Sequence, residues 1–361
     1  MSEQVLYRKY RPKDFTEIVG QKHIITPIVN SLKMGKIAHA YLFSGPRGTG
    51  KTTTARLIAK ALNCLERNKP CNACANCERF NRGQGMNLVE IDAASNRGID
   101  EIRELRAGVR FNPGDGKYKI YIIDEVHQLT KEAFNALLKT LEEPPAHVVF
   151  ILATTELEKV LPTVVSRTQH YDFRRPTVPQ IVGRLEYLAK KENVILDKEA
   201  AHLIALAAEG GIRDAESILG QIMSVEDKKI TREEAEKILG LPRRETGKKM
   251  FGFIARKDAF SALALIQELT DAGYDLSYFT KFLTRYFRYA LFLKIDPNLK
   301  KFIADELLLD EMECIVSHLP AFTAEELSRS LNVIVQNMQI FKKTPIPQLP
   351  LEVTVIELIN R

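Results

Sequence analysis

The sequence predicts an α/β domain with a mainly parallel sheet, followed by a small helical lid domain and an all-α C-terminal domain. Three observations predict this architecture. The chain has 361 residues, enough for two or three domains. Short apolar runs alternate with amphipathic helical patterns from residue 40 to about residue 173, which is typical of a parallel sheet joined by helices. Beyond Pro176 and Pro179 the pattern is helical.

The apolar runs give the positions of the strands in the first domain. Each run is short and is separated from the next by a helical or turn-rich stretch. The predicted strands cover residues 40–44, 87–92, 119–124, 147–154 and 168–173. Because parallel strands need long crossover connections, which are usually helices, this alternation favours one parallel sheet.

The helical part of the chain is predicted to divide once more. A helical pattern runs to about residue 241, with an internal turn at Gly210 and Gly211. Pro242 begins a second helical block, which closes with three prolines before a last short helix at 352–360. The predicted domains are 1–178, 179–242 and 243–361, and an insertion interrupts the first domain at about 64–80.

Composition sets broad limits on function. The hydrophobic fraction of 45% and the charged fraction of 27% are ordinary for a globular protein. No apolar stretch approaches the roughly 20 residues of a membrane span, and residues 1–4 lack the layout of a signal peptide. We therefore expect a cytoplasmic protein with no membrane partner. The net charge of +6 permits nucleic acid as a partner without proving it.

A complete phosphate loop, GPRGTGKT, occupies residues 45–52. A predicted strand precedes it and a helical pattern follows, the setting that distinguishes a true phosphate loop from a chance match. Its backbone N–H groups would converge on phosphate oxygens, Lys51 would reach the β- and γ-phosphates, and Thr52 would hold Mg²⁺. The predicted nucleotide-binding residues here are Gly45, Pro46, Arg47, Gly48, Thr49, Gly50, Lys51, Thr52 and Thr53.

Four of the five cysteines are crowded together, at Cys64, Cys71, Cys74 and Cys77. Four thiolates are the ligand set of a closed, tetrahedral, structural Zn²⁺ site, and a cytosolic chain keeps its thiols reduced. Redox chemistry is the alternative, because C-x-x-C also occurs in thiol oxidoreductases. The cluster follows the helix of the phosphate loop, so we predict a zinc-binding insertion without chemistry of its own. Cys314 is predicted to be a small core residue.

The predicted strand at 119–124 ends in acids. Apolar residues precede Asp124, which places its carboxylate at the carboxyl edge of the sheet, where it would support Mg²⁺. Glu125 would then orient and activate the attacking water. The alternative is a strand that merely ends in solvated acids. His127 completes the letters DEVH, which resemble a helicase box, but we interpret it as a packing or hydrogen-bonding residue.

Three further residues are candidates for contact with the transferred phosphate. Thr155 follows the strand at 147–154, although the β-propensity of threonine would also place it there. Arg167 has no acid four residues away and could complete a neighbouring subunit's site, the alternative being a surface cation. Arg213 stands at a predicted helix start, where a cation is disfavoured, and this indicates a phosphate partner.

Together these features resemble the AAA+ ATPases and, within them, the gamma/tau family of bacterial clamp loaders. The resemblance covers essentially all 361 residues. Further segments that carry it are 7–12 (YRKYRP), 19–21 (VGQ), 137–145 (LLKTLEEPP), 153–155 (ATT), 166–167 (SR) and 211–215 (GIRDA). The set is specific, because other AAA+ proteins lack the zinc insertion and the LLKTLEEPP segment.

The resemblance implies a role for each matching residue. Arg11, Pro12 and Val19 would lie near the adenine, Thr155 would be sensor 1, and Arg213 would be sensor 2. The implied cofactors are ATP, Mg²⁺ held by Thr52 and Asp124, and structural Zn²⁺. The implied catalytic set is Lys51, Asp124, Glu125, Thr155, Arg167 and Arg213.

Arg167 would be an arginine finger acting on a neighbouring subunit. The sequence departs from the family's Ser-Arg-Cys motif here, because Thr168 replaces the cysteine. The family implies ATP-dependent opening of a sliding clamp and its placement on primed DNA, in a pentamer held by the C-terminal domains. The implied partners are the clamp, the delta and delta prime subunits, further gamma/tau copies and the DNA polymerase III core. Such proteins usually continue past this domain, so we expect a longer parent protein.

An apolar stripe supports the assignment of the C-terminal domain as the collar that holds the pentamer. Its residues recur at helical spacing, and they either pack within this chain, contact other subunits, or do both. The stripe comprises Phe279, Phe282, Leu283, Tyr286, Phe287, Ala290 and Leu291.

Basic residues of the first domain are candidates for contact with the DNA backbone, without readout of base sequence. They alternate with acids, so a solvated helix face is the alternative. The candidates are Arg97, Arg103, Arg106, Arg110 and Lys139.

Three classes of function compete for this sequence. They are the clamp-loader motor, another AAA+ machine such as a branch-migration helicase, and a non-catalytic scaffold like the loader's delta prime subunit. The intact Lys51, Thr52, Asp124 and Glu125 argue against the scaffold, and the cysteine cluster argues against the helicase. The sequence therefore favours an ATP-driven motor subunit of the DNA polymerase III holoenzyme.

Overall fold

The structure, a computed structural model, describes residues 5–85, 87–114, 116–225, 228–303, 309–341 and 343–360. Residues 1–4, on which the expectation about a signal peptide depends, lie outside this set, as does the predicted end of the third domain at residue 361. The chain forms two compact units that divide between Thr231 and Arg232. Among the described residues, no helix combines the length and the apolar character needed to cross a lipid bilayer.

A five-stranded, fully parallel sheet forms the centre of the first unit, which confirms the predicted fold class. The strand order is β2-β3-β4-β1-β5, so the strand that precedes the phosphate loop is separated from the strand with the two acids by β4. Each observed strand matches its prediction to within one residue at either end. The strands are β1 (Ala40–Ser44), β2 (Leu88–Asp92), β3 (Lys119–Asp124), β4 (Val148–Thr154) and β5 (Gln169–Asp172).

Helices cover both faces of this sheet because alternate strand residues point to opposite sides. Tyr41 and Phe43 belong to one apolar cluster, with residues of α2 and α3, whereas Leu42 belongs to another, with residues of α5 and α6. The helices up to the end of the sheet are α1 (Leu6–Lys9), α2 (Lys22–Met34), α3 (Lys51–Leu62), α4 (Ala75–Asn81), α5 (Ile99–Val109), α6 (Lys131–Glu142) and α7 (Pro162–Val165).

The segment predicted to be helical from residue 178 to residue 241 contains more than helices. Its three longer helices are α8 (Val178–Lys191), α9 (Lys198–Ala207) and α10 (Ile212–Met223). Two short strands, β6 (Ile195–Leu196) and β7 (Lys229–Ile230), pair in parallel and correct the all-helical prediction. Two residues are too few to show the period of a strand, so periodicity could not detect this pair.

The second unit is helical and has its own apolar core. The predicted stripe lies on α14, where five of its seven residues are buried and the other two, Phe282 and Leu291, pack partly buried against the same core. Packing within the chain is therefore observed for the whole stripe. The helices are α11 (Arg232–Ile238), α12 (Arg244–Ala255), α13 (Ala259–Asp271), α14 (Leu276–Ile295), α15 (Lys300–Ile303), α16 (Leu309–His318), α17 (Ala324–Met338) and α18 (Leu349–Ile359).

The last helix begins earlier than predicted. It starts at Leu349 rather than at residue 352, and Pro350 lies in its first turn. A proline is favourable there, because the first N–H groups of a helix have no partner within the helix and the ring fixes a helical φ.

Candidate functional site

The phosphate loop connects β1 to α3 and contains three glycines with positive φ. Gly45 has a φ of +130°, Gly48 of +76° and Gly50 of +103°. A side chain at Gly45 would collide with the backbone carbonyl of Phe173, and a Cβ at Gly48 would lie 3.2 Å from the Cα of Gly211. The loop therefore requires glycine both for its conformation and for its close packing against two other segments.

Lys51 occupies the first position of α3 and is buried. Its ammonium donates hydrogen bonds to the carbonyls of Gly45 (2.7 Å) and Pro46 (2.8 Å). Burial lowers the pKa of Lys51, and the nearby carboxylates of Glu125 and Asp124 oppose that shift. The Lys51 ammonium is thus held by carbonyls of the same loop that would bind the phosphates.

Thr52 and Asp124 meet across the carboxyl edge of the sheet. The Thr52 hydroxyl donates to Asp124 Oδ2 at 2.6 Å, although the two residues are 72 positions apart. Asp124 Oδ1 also accepts from the backbone N–H of Glu125 at 3.0 Å. A hydroxyl and a carboxylate oxygen at one point are hard oxygen donors of the kind that Mg²⁺ prefers, so the residues fit the predicted metal.

Glu125 adopts a left-handed backbone conformation, with a φ of +49°. Non-glycine residues in this region are uncommon and cluster at functional sites. The Thr155 hydroxyl donates to Glu125 Oε2 at 3.0 Å, and His127 Nδ1 lies 3.5 Å from the same oxygen. Thr155 therefore contacts the predicted catalytic acid. His127 also contacts Thr154 at 3.0 Å, as expected for a hydrogen-bonding residue.

A pocket runs from the phosphate loop towards the N-terminal segment. Among the described residues, the predicted site residues that line it are Arg11, Pro12, Val19, Arg47, Gly48, Thr49, Gly50, Lys51, Thr52, Thr53, Asp124, Glu125 and Arg213. Residues not predicted for the site also line it, namely Tyr7, Glu17, Ile18, Arg184, Ile212 and Glu216.

Arg213 lies at the start of α10, next to the phosphate loop. The backbone N–H of Ile212 donates to the carbonyl of Gly48 at 3.1 Å, so the helix start touches the loop directly. The Arg213 guanidinium lies over the ring of Tyr7, 4.6 Å from its centroid. A cation at a helix start is held here by an aromatic ring of α1.

A buried ion pair that the sequence reading missed forms part of the pocket wall. Arg184 of α8 donates to Glu216 Oε1 of α10 at 2.8 Å and to the carbonyl of Tyr10 at 2.6 Å. Burial raises the pKa of Glu216, and the Arg184 charge opposes that shift. A signal existed in the sequence, because both residues occupy buried-face positions of amphipathic helices, where charge is unusual.

Arg167 lies beyond α7 and, among the described residues, is not part of the pocket lining. Its Nη2 pairs with Glu142 Oε1 at 2.6 Å, and its Nη1 donates to the carbonyl of Thr163 at 2.9 Å. The positions four residues before and after Arg167 hold Thr163 and Tyr171, so no acid neighbours it at helical spacing. The partner comes from the end of α6, and both side chains remain partly exposed.

The four clustered cysteines come together as predicted. Their Sγ atoms all lie within 4.8 Å of one another, and those of Cys71 and Cys77 are 3.8 Å apart. Four sulfurs at about 2.3 Å from a tetrahedral zinc ion would lie about 3.8 Å from one another, so the arrangement fits Zn²⁺. A disulfide requires about 2.05 Å between sulfurs, and all five cysteines are free thiols.

The local environment makes these thiols unequal. Burial alone would raise the pKa of the Cys74 thiol, but hydrogen bonds to the backbone at Leu65 and Cys77 and to the neighbouring thiols lower it to about 6. Burial raises the pKa of Cys77 to about 12, and the neighbouring thiols add to that effect. Four thiolates cannot gather without a cation, which is the role that Zn²⁺ would fill.

Lys60 of α3 connects this cluster to the N-terminal segment. Its buried ammonium donates to Asn72 Oδ1 (2.6 Å), to Asn81 Oδ1 (3.0 Å) and to the carbonyl of Lys13 (2.6 Å). The fifth cysteine, Cys314, is half-buried rather than a core residue, and its Sγ lies 3.9 Å from the carbonyl of Lys248. The core prediction for Cys314 is therefore wrong, because α16 leaves this side chain at the margin of the core.

The predicted DNA-contacting residues lie on or beside α5 and α6. Arg103 pairs with Asp100 at 2.8 Å, which is the pattern of a solvated helix face. Arg97 donates to the carbonyl of Ala94 at 2.9 Å. Arg106 is half-buried, and Arg97, Arg103, Arg110 and Lys139 are exposed.

Three family models match consecutive parts of the chain. The model described as DNA polymerase III, delta subunit, matches residues 20–177. The model described as DNA polymerase III clamp loader subunit, ATPase lid domain, matches residues 180–226. The model described as DNA polymerase III subunits gamma and tau domain III matches residues 230–361.

Curated relatives agree with these family models. DNA polymerase III subunit tau of Bacillus subtilis is 41% identical over 99% of this chain and 63% of its own length. The tau subunit of Escherichia coli is 41% identical over 76% of this chain and 43% of its own length. The chain therefore spans less than two thirds of these tau subunits. DNA polymerase III subunit gamma of Buchnera aphidicola is 38% identical, with 83% of each chain covered.

Solved structures share the fold. Two variants of RuvB from Thermotoga maritima align at a TM-score of 0.50 and 20% identity. One alignment covers 68% of this chain and 78% of the RuvB chain, and the other covers 72% and 86%.

Proposed function

The chain belongs to the gamma and tau subunits of bacterial DNA polymerase III, and from this membership we propose that it binds and hydrolyses ATP as a clamp-loader motor. The observation that carries the proposal is the convergence of four groups on one pocket. Thr52 and Asp124 are in contact at 2.6 Å, Glu125 follows directly, and Arg213 lines the same pocket from the lid helix.

The roles of the residues follow from their positions. Backbone N–H groups of the phosphate loop and the Lys51 ammonium would bind the phosphates, and Thr52 with Asp124 would hold Mg²⁺. Bound Mg²⁺ would neutralise charge on the phosphate oxygens. Glu125 would orient the attacking water, and the Thr155 hydroxyl would orient Glu125, whose carboxylate it contacts at 3.0 Å. Arg213 would contact the phosphates from the lid side, and Arg11, Pro12 and Val19 would enclose the adenine.

Arg167 would act on the site of a neighbouring subunit. Its position outside the pocket of its own chain and its partial exposure support this role. Mixing Arg167→Ala subunits with wild-type subunits would lower hydrolysis at the neighbouring wild-type sites. Undiminished hydrolysis at those sites would exclude the trans role.

The proposed setting is the cytoplasmic clamp loader. Its partners would be the sliding clamp, the delta and delta prime subunits, further gamma/tau copies, the polymerase core and the backbone of primed DNA. Residues 243–361 would form the collar of a pentamer, residues 179–242 the lid, and residues 1–178 the nucleotide domain. Cys64, Cys71, Cys74 and Cys77 would hold a structural Zn²⁺, and a native mass measurement would give the zinc content and the subunit count together.

ATP turnover tests the proposal directly. The chain would be assembled with clamp-loader partners, clamp and primed DNA, and turnover compared between wild type and Lys51→Ala. We expect Lys51→Ala to abolish turnover. For the DNA contacts, Arg97→Ala combined with Lys139→Ala should weaken stimulation by DNA and leave nucleotide binding intact.

A non-hydrolysing scaffold is the second candidate. It is supported by the match of residues 20–177 to the model described as DNA polymerase III, delta subunit. Absence of turnover in every subunit mixture would refute the motor and favour the scaffold.

A further inference from the structure

We infer that Arg184 and Glu216 are positioning residues. They form a buried ion pair, here called the clasp, which connects the lid helix α10 to the N-terminal segment. The clasp thereby holds Arg213 over the phosphate loop. The inference rests on the proposed function in one respect, namely that Arg213 contacts the phosphates of the bound nucleotide. Neither member of the clasp was assigned a role by the sequence.

The clasp joins three separate segments of the chain. Arg184 extends from α8, and its Nε donates to Glu216 Oε1 of α10 at 2.8 Å. Its Nη2 donates at 2.6 Å to the backbone carbonyl of Tyr10, which ends α1. The two side chains are only 7% and 5% exposed, so this is a built contact rather than a chance surface pair.

Stability alone does not account for a buried ion pair in this place. Removing two charges from water is costly, and their attraction often only balances that cost. Hydrophobic residues of similar volume are frequently as stable. A charged pair adds a fixed orientation of the two side chains, because a guanidinium can donate its hydrogen bonds to only a few arrangements of oxygen atoms.

The fixed orientation of Glu216 determines the position of Arg213, because both residues belong to α10. Glu216 follows Arg213 by three residues, so the two side chains lie on neighbouring turns of one helix face. The start of that helix touches the phosphate loop through the bond from Ile212 N–H to the Gly48 carbonyl. The N-terminal segment meets the same face a second time, where Tyr7 lies beneath the Arg213 guanidinium. Fixing Glu216 therefore fixes the rotation of α10 and the height of Arg213 above the loop.

The preference of the site for a triphosphate over a diphosphate depends on the position of Arg213 and can be measured. The experiment measures dissociation constants of ADP and of the slowly hydrolysed analogue ATPγS for the full chain, by calorimetry. Glu216→Gln keeps the shape of the side chain and removes its charge. We expect the ratio of the ADP constant to the ATPγS constant to fall roughly tenfold, the scale of one misplaced charged hydrogen bond.

A matched ion pair provides the control. Arg232 and Glu236 of α11 make the same Nε–Oε1 contact at 2.8 Å, with side chains 15% and 8% exposed, in the other compact unit. Glu236→Gln should lower the melting temperature as Glu216→Gln does and leave the ADP/ATPγS ratio unchanged. A fall in the ratio with Glu236→Gln as well would show that lost stability, rather than the clasp, sets it, and would overturn the inference.

A variant without buried charge protects the test against misfolding. Arg184→Met combined with Glu216→Met leaves no unpaired charge in the interior, so it should fold while lacking the clasp. The ratio should still fall roughly tenfold, the same charged-contact scale. A folded double variant with the wild-type ratio would overturn the inference, because packing would then suffice to position Arg213.

A double-mutant cycle separates the inference from the function on which it rests. Arg213→Ala should itself abolish the preference for ATPγS, and adding Glu216→Gln to it should change nothing further. An equal additional loss in the Arg213→Ala background would overturn the clasp's action through Arg213. A ratio unchanged by Arg213→Ala alone would instead refute the proposed role of Arg213.

Discussion

The two ends of the nucleotide pocket are built in different ways. At the phosphate end, one continuous loop and two strand ends supply the contacts. At the lid end, side chains from α1, α8 and α10 hold one another in place through an ion pair and a cation–π contact. The first arrangement is fixed by the sheet. The second depends on a few side chains, so substitutions there should tune the site rather than abolish it.

The largest effect is expected at the phosphate end, from Gly45→Ala. The new methyl group would collide with the Phe173 carbonyl in a backbone conformation with a φ of +130°. Strain and overpacking together should cost about 4 kcal/mol, which corresponds to a roughly thousandfold loss of ATPγS affinity or to an equal loss of stability. Titration calorimetry and thermal unfolding would measure the two outcomes.

Gly35→Ala is the matched control for that substitution. Gly35 ends α2 with a φ of +68°, but nothing lies within 4 Å of the position that its Cβ would take. Only the strain of about 1–2 kcal/mol remains, and nucleotide affinity should be unchanged. Equal effects of the two variants would show that the close packing of the loop does not matter.

The cysteine cluster offers the next largest effect and tests whether a third region supports the pocket. Cys77→Ser should lower the zinc content to near zero and the free energy of unfolding by about 3 kcal/mol, since structural metal binding contributes to folding. Because Lys60 links Asn72 and Asn81 to Lys13, the N-terminal segment should loosen and ADP should bind more weakly. Elemental analysis, thermal unfolding and calorimetry measure these quantities.

Cys314→Ser is the control for a cysteine outside the cluster. Cys314 is half-buried and lies in the second unit, so zinc content and ADP affinity should remain those of the wild type. Full zinc content in Cys77→Ser would exclude the four-thiolate site.

Thr155→Val should act on turnover alone. It removes the hydroxyl that donates to Glu125 at 3.0 Å and retains the branched shape of the side chain. We expect hydrolysis to fall about tenfold, the scale of one hydrogen bond to a charged group, with ADP affinity unchanged. Thr155→Ser keeps the hydroxyl and should retain most of the activity; equal losses in both variants would contradict a role for the hydroxyl.

The phosphate end was predictable from sequence because its residues are adjacent in the chain or end predicted strands. The loop at 45–52 is contiguous, and Asp124 and Glu125 follow an apolar run that could be recognised as a strand. Parallel strands bring their carboxyl ends to one edge, so the meeting of Thr52 with Asp124 follows from the fold class.

The contacts at the lid end were harder to predict from sequence, for a physical reason. Arg184 contacts Tyr10 across 174 positions, a separation with no period that a sequence reveals. What sequence could have shown was a charge on the apolar face of α8 and another on that of α10. Two opposite charges on such faces indicate a buried pair, although they do not say what the pair positions.

The smallest predicted effect concerns Tyr7, the aromatic partner of Arg213. Its ring centroid lies 4.6 Å from the guanidinium, and such contacts at partly exposed sites contribute about 0.5–1 kcal/mol. Tyr7→Ala should therefore lower the ADP/ATPγS ratio about threefold, less than loss of the clasp. Tyr7→Phe keeps the ring and should stay close to wild type. If Tyr7→Phe lowered the ratio as much as Tyr7→Ala, the hydroxyl rather than the ring would hold Arg213, and the lid end would depend on a hydrogen bond instead of a cation–π contact.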